Sequence, residues 1–188
     1  MKACIVLMSG SPLSGKSTVV KQIKSYFGGD CYVASTDEIR KEITGTYEDH
    51  TRETDVWATI IKRMLKHLEK GKVVVLDATL RQKQLRMDHL EYYKRWPIYY
   101  VAFERIPIET ILERNQERVW KQIREERLRE LWAEYEVPDD EELKLYAGAA
   151  KINNENAAEK VRSLMEQIRA KRDGKGGSTD EGKTPEAS

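Results

Sequence analysis

The run Gly10-Ser11-Pro12-Leu13-Ser14-Gly15-Lys16-Ser17 matches G-x-x-x-x-G-K-[ST] at every fixed position. It constrains the fold more than any other feature, because the pattern works in one setting only. A buried strand must end just before it and a helix must begin at its lysine, so that loop amides and the helix dipole converge on a phosphate. Both flanks comply. Cys4 to Met8 is a continuous run of apolar, branched residues, the pattern of a strand covered on both faces. From Lys16 to about Phe27 the apolar residues Val19, Val20, Ile23 and Phe27 fall on one helical face, and Gly28-Gly29 stops the helix.

The rest of the chain repeats the alternation. Strands are expected at Cys31–Ala34, Val73–Leu76, Ile98–Phe103 and Ala150–Ile152. Helices are expected from Thr36 to about Ile43, from the loop ending at His50 to about Lys70, with Gly71 as its stop, and over Leu85–Arg95. Another begins with Pro107 in its first turn, and a last one runs to about Arg172. Arg114 to Glu136 reads as one continuous, heavily charged helix. Strand–helix alternation with this loop implies the α/β class: a P-loop NTPase-type three-layer sandwich with a central parallel sheet and a helical lid. Residues 1–172 form one such domain with the lid at about 114–138, and 173–188 are polar enough to be a disordered tail.

Composition removes other classes. Lys and Arg total 33 against 32 Asp and Glu, a net charge of +1, so any nucleic-acid contact has to use a local patch. The first apolar run is too short for a signal peptide or a membrane span, and the expectation is a cytoplasmic protein with no membrane partner. Cys4 and Cys31 lie in strand-like runs and read as buried thiols, with no ligand pattern for zinc around them. His50, His67 and His89 form no ligand cluster.

The loop fixes the chemistry at one end. The loop, from Gly10 through Ser11, Pro12, Leu13, Ser14 and Gly15 to Thr18, wraps the phosphates of a nucleoside triphosphate with its backbone N–H groups. Lys16 bridges the outer two phosphates, and the Ser17 hydroxyl serves Mg²⁺. After the second strand, Ser35-Thr36-Asp37-Glu38-Ile39-Arg40 places Asp37 at a carboxyl end, where ligands bind in open α/β sheets. A carboxylate there can accept the proton of an attacking hydroxyl, with Arg40 one turn on to hold an anionic part of the acceptor. The competing reading makes Asp37 a helix-capping acid and Arg40 a surface residue.

These two segments, taken with two later ones, resemble the phage-type polynucleotide 5′-kinase family and its P-loop kinase relatives. Val74-Val75-Leu76-Asp77-Ala78-Thr79 is similar to that family's strand ending in an aspartate followed closely by a threonine. Glu113-Arg114-Asn115-Gln116-Glu117-Arg118 is similar to its Arg-Asn-x-x-Arg segment. The resemblance implies ATP with Mg²⁺, Asp37 as general base, and Arg40 on a phosphate of the acceptor strand. It implies Arg118 on the ATP phosphates from the lid, with Arg114 beside it, and Asp77 and Thr79 on the substrate side. Asp77 would hold Mg²⁺ through water or orient Arg40; the bland alternative is a cap on the next helix. In this chain Val137-Pro138 arrives only after the long charged segment.

Three functions compete. The first is an ATP-dependent kinase acting on a hydroxyl of a nucleic acid, most simply a 5′-hydroxyl end of DNA or RNA; a variant acts on a hydroxymethylated base in DNA and draws on the long lid. The second is a small-molecule kinase for a nucleoside, sugar or antibiotic. The third is a non-catalytic nucleotide-binding module, which has no use for Asp37 and Arg40 together. For the first, Arg81, Lys83, Arg86, Lys94 and Arg95 form one basic stretch and Lys121, Arg124, Arg127 and Arg129 another. Trp57, Trp96, Trp120, Trp132 and Tyr92-Tyr93 are candidates for stacking on bases, or for core packing.

Overall fold

In a computed structural model that describes residues 2–119 and 122–174, the strands build one sheet. They are β1 (Cys4–Ser9), β2 (Cys31–Ser35), β3 (Val73–Asp77), β4 (Ile98–Phe103) and β5 (Gly148–Ile152), all parallel, in the order β2-β3-β1-β4-β5. The helices are α1 (Lys16–Phe27), α2 (Thr36–Thr44), α3 (Glu53–Leu68), α4 (Lys83–Tyr92), α5 (Ile108–Gln116), α6 (Glu125–Ala133), α7 (Asp140–Leu143) and α8 (Ala157–Arg172).

The central strand shows why its run is continuously apolar. Val6 and Met8 face one core, with α1 and α8 above them through Val19, Ile23, Leu164 and Ile168. Ile5 and Leu7 face the other, against Val56, Ile60 and Met64 of α3. Side chains alternate faces along a strand, so a sheet covered on both sides needs an apolar residue at every position. The result is the three-layer sandwich expected from the sequence, with β1 in the middle and its carboxyl end feeding the phosphate loop.

Three expectations need correction. Residues 114–136 are not one helix: α5 ends at Gln116 and α6 begins at Glu125. The cause lies in two amide side chains. Asn115 donates to the Ile123 carbonyl at 2.8 Å and accepts from the Ile123 N–H at 3.0 Å. Gln122 donates to the carbonyls of Gln116 at 3.3 Å and Arg118 at 2.8 Å. Amide side chains that satisfy backbone groups remove the helix's advantage locally, and the lid becomes a hairpin of two short helices. The helix expected over 85–95 starts at Lys83 and ends at Tyr92. Pro107 is the residue before α5 rather than its first turn. The expected tail lies outside the described residues from position 175 onward, as do Trp120 and Lys121.

Candidate active site

The phosphate loop has little room for side chains at its root. A Cβ on Gly10 would lie 2.7 Å from Ser14 Oγ and 2.9 Å from Phe103 Cβ, so only glycine fits between the loop and the end of β4. Gly15 takes φ +102° just before α1. Leu13 also sits in the left-handed region, at φ +63°, unusual for a non-glycine residue. Its carbonyl accepts from Arg114 Nη1 at 2.8 Å, which ties the loop's apex to α5. Pro12 is half-buried, and Ser17 and Thr18 are exposed on the first turn of α1.

Lys16 points back into the loop. Its Nζ donates to the carbonyls of Gly10 at 2.9 Å and Ser11 at 2.7 Å, and to Ser14 Oγ at 3.3 Å. Burial pushes its pKa down to about 8; Asp77 and Asp37 pull it up and Arg118 pulls it further down. The same electrostatics show that Lys16, Asp37, Asp77 and Arg118 surround one region. The Ser11 hydroxyl is fully buried in the loop and has no hydrogen-bond partner among the described residues. A buried, unsatisfied donor beside an ammonium group, in a cradle that excludes Cβ atoms, fits an anionic ligand. The oxygen donors nearby, the Ser17 hydroxyl and the Asp77 carboxylate, are of the hard type Mg²⁺ takes alongside phosphate and water.

The acceptor side is built from the carboxyl ends of β2 and β3, whose last residues Ser35 and Asp77 are paired in register. Thr36 Oγ1 donates to the Asp77 carbonyl at 3.4 Å, joining the two strand ends. Asp37 lies in the first turn of α2 with its side chain 44% accessible. Arg40, 6% exposed, donates to Asp37 Oδ1 at 2.7 Å and to Glu53 Oε1 at 2.5 Å. Glu53 also meets His50 Nδ1 at 3.0 Å. The Arg40 guanidinium holds the Glu53 carboxyl below its ordinary value, against a burial that raises it. Thr79 contributes its carbonyl to the Gly10 N–H at 3.4 Å. Arg118 follows α5, half-buried; burial lowers its pKa and Asp37 raises it.

The structure thus gathers Lys16, Asp37, Asp77 and Arg118 at the carboxyl edge of the sheet. Arg114 serves the loop backbone, and Arg40 is engaged by two carboxylates. Sequence reasoning missed Glu53, Phe103 and Tyr135. Tyr135 donates to the Phe103 carbonyl at 2.5 Å and hydrogen-bonds Ser9 Oγ at 3.3 Å, which joins the exit of the lid to the root of the loop. Ser9 is also bonded to Tyr100. No local pattern marks these residues, because each partner comes from a distant element.

Among the described residues, most cations of the two basic stretches are paired within the protein. Arg86 is fully buried and forms a bidentate pair with Glu142, at 2.5 and 3.0 Å, while also donating to the carbonyls of Leu80 and Arg81. Arg81 pairs with Glu134, Lys83 with Asp139 and Lys94 with Glu91, and Arg95 lies over the Trp96 ring. In α6, Arg127 and Arg129 are paired with Glu130 and Glu125. Trp57 and Trp96 pack against the α3-side core, Tyr93 is buried there, and Trp132 donates to the Ile106 carbonyl. Tyr92 is exposed. Among the described residues, no helix is long and apolar enough to cross a membrane.

Comparison with known proteins gives the family. The model for the family described as chromatin associated protein KTI12 matches residues 3–171. No curated protein sequence matches. Among solved structures, Kti12 of Chaetomium thermophilum in complex with ADP-AlF3 superposes with a TM-score of 0.66 at 17% identity, over 88% of this chain and 97% of that one. A gluconokinase from Sinorhizobium meliloti gives 0.55 at 17% identity, over 94% and 98%. A chain of the Pnkp1/Rnl/Hen1 RNA repair complex gives 0.63 at 17% identity, over 71% of this chain and 44% of that one. The chain belongs to the KTI12 family and has a P-loop kinase-like fold; the likeness to polynucleotide kinases holds at the level of that fold.

Proposed function

We propose that the protein is an ATP-dependent kinase that transfers the γ-phosphate to a hydroxyl of a nucleic acid, most simply a 5′-hydroxyl end of DNA or RNA. The observation that carries this reading is Asp37, held by Arg40 at 2.7 Å and close enough to Lys16 to shift its titration. A non-catalytic switch needs the loop but not an aligned carboxylate across from it. In the transfer, the acceptor oxygen bonds to the γ-phosphorus and the bond from that phosphorus to the β–γ bridging oxygen breaks. The acceptor's proton passes to Asp37, and the bridging oxygen leaves with the diphosphate. Lys16 and the loop amides offset charge on the phosphates, and Arg118 reaches the same region from the lid. Bound Mg²⁺ would neutralise phosphate charge, with Ser17 and Asp77 as its protein-side donors.

One observation favours a second reading. Arg40, expected to meet an acceptor phosphate, is buried between Asp37 and Glu53. An acceptor without a neighbouring phosphate, such as a sugar alcohol, needs no such contact, and a gluconokinase shares the fold. The modified-base variant still draws on the long lid segment, which is built as two short helices.

The test is transfer from labelled ATP to 5′-hydroxyl DNA and RNA oligonucleotides by the wild type and by Asp37→Asn. Labelled ends that fall by about 10²-fold or more in the variant support the kinase and its base. Wild type that binds ATP yet labels only small polyols moves the function to the second reading.

A further inference from the structure

A net charge of +1 conceals an uneven distribution. In a parallel sheet the amino ends of all strands share one edge, and helices that return across the sheet finish there as well. At this edge, opposite the phosphate loop, stand Lys2 before β1, Lys24 in the last turn of α1, Lys66 and Lys70 at the end of α3, Lys72 before β3, and Arg169, Lys171 and Arg172 in the last turn of α8. Contacts join them into one surface. Arg172 Nε donates to the Lys2 carbonyl at 3.1 Å and its Nη2 to the Gly71 carbonyl at 2.8 Å. Lys72 Nζ donates to the Gly29 carbonyl at 2.9 Å, and Arg169 caps the Tyr26 carbonyl at 2.9 Å while lying 4.1 Å over its ring. Lys2, Lys171 and Arg172 line a cavity of about 210 Å³ at this edge.

The field of these cations reaches buried groups. His67 has its pKa lowered first by burial and then by Lys72, Lys70 and Lys66. The buried Cys31 thiol is raised by desolvation while Lys24, Arg172 and Lys72 oppose the rise. The carboxylates here are Asp30, Glu69 and Asp173. Among the described residues none of the eight cations forms an ion pair with a carboxylate; Lys72, Arg169, Lys171 and Arg172 meet carbonyls and rings instead. Five arginines elsewhere differ: Arg40, Arg63, Arg81, Arg86 and Arg129 are each paired with an acid.

We propose that the amino edge of the sheet is a docking surface for the phosphodiester backbone of a nucleic acid. Arg172 is buried and ties the edge together from beneath; the other cations are spread over α1, α3, α8 and two strand entries instead of converging on a point, an arrangement that suits an extended row of phosphates better than one small anion. A strand of five or six residues spans roughly 17–20 Å, so this surface is separate from the crevice and does not depend on the kinase reading.

The experiment uses fluorescence anisotropy with a labelled single-stranded oligonucleotide of about 20 nucleotides, titrated between about 50 and 200 mM salt. The proteins are the wild type, Lys24→Glu/Lys70→Glu/Lys171→Glu, the milder triple glutamine variant, and Lys16→Met. Wild type and Lys16→Met are expected to bind with a steep salt slope. Removing three contacts should make that slope shallower by about 2 and cut affinity at least tenfold, with ADP binding unchanged. The proposal is overturned if the wild type does not bind, if both triple variants bind with the wild-type slope, or if phosphatidylserine vesicles bind more tightly than the oligonucleotide. A wild type that binds the polymer but transfers no phosphate would sink the kinase reading alone.

Discussion

Raising the pH above 8 should weaken nucleotide binding through Lys16. Its ammonium group is taken out of water by the loop, and that desolvation brings its pKa from 10.5 to about 8 despite Asp77 and Asp37. Incoming phosphates favour the charged form, so the bound state has the higher pKa. Below about pH 8 the ammonium is present before and after binding, and affinity is flat. Above it, the free protein has lost a proton that binding must restore. Affinity then falls about tenfold per pH unit, or ~1.4 kcal/mol, until the bound-state pKa is reached. At pH 9 roughly nine-tenths of the free protein is neutral at Lys16, and ADP binding takes up close to one proton. Calorimetric titration in buffers of different ionisation enthalpy reads that proton directly. Lys16→Arg, always charged, should flatten the profile. Equal affinity at pH 7 and about pH 9 without proton uptake would refute the argument, and so would the same fall in Lys16→Arg. The sign for stability is opposite. A lysine with a depressed folded-state pKa costs stability below about 8 and is relieved as pH rises toward 10.5, so Lys16→Met should melt higher than wild type at neutral pH.

Gly10→Ala brings a methyl group to 2.7 Å from Ser14 Oγ and 2.9 Å from Phe103 Cβ; ADP affinity should drop more than about tenfold while overpacking costs about 1–3 kcal/mol in urea unfolding. Glu142→Gln leaves the buried Arg86 guanidinium without its counter-charge and should cost about 3–5 kcal/mol, whereas Arg86→Met with Glu142→Leu should lie close to wild type. Asn115→Ala removes both bonds to Ile123 and should speed amide exchange at Ile123 about tenfold, with global stability lowered by no more than ~2 kcal/mol.

Where local pattern and local stop signals agree, the sequence was sufficient. The bounds of α1 and of β4 follow from apolar periodicity, the double glycine and a continuous branched run. The phosphate loop was legible because its function is local, a strand, a turn and a helix in one unbroken run from Cys4 to Phe27. Local reading failed where a partner is remote. Arg86 sits in a charged stretch and looks solvated, yet Glu142, 56 residues on, takes it into the interior. Arg40 was assigned by analogy to an acceptor phosphate, but Glu53 from the next helix occupies it. The lid break hid in a segment of good helix formers, since propensity does not register an amide that folds back onto a carbonyl eight residues away. The unpaired positive edge was invisible for the same reason: Lys2, Lys24, Lys72 and Lys171 are neighbours only after folding.

The phosphate loop precedes along the chain the residues that shape it. Phe103, packed against Gly10, ends β4; Arg114 holds Leu13 across 101 positions, and Tyr135 meets Ser9 across 126. A nascent chain that ends before Tyr135 therefore carries the complete motif without the floor and struts that shape it. Nucleotide cannot act as an early template for folding on the ribosome, where domains take shape as their segments emerge. It can only trap a chain whose distant segments have already met, and ligand binding becomes a checkpoint on that meeting.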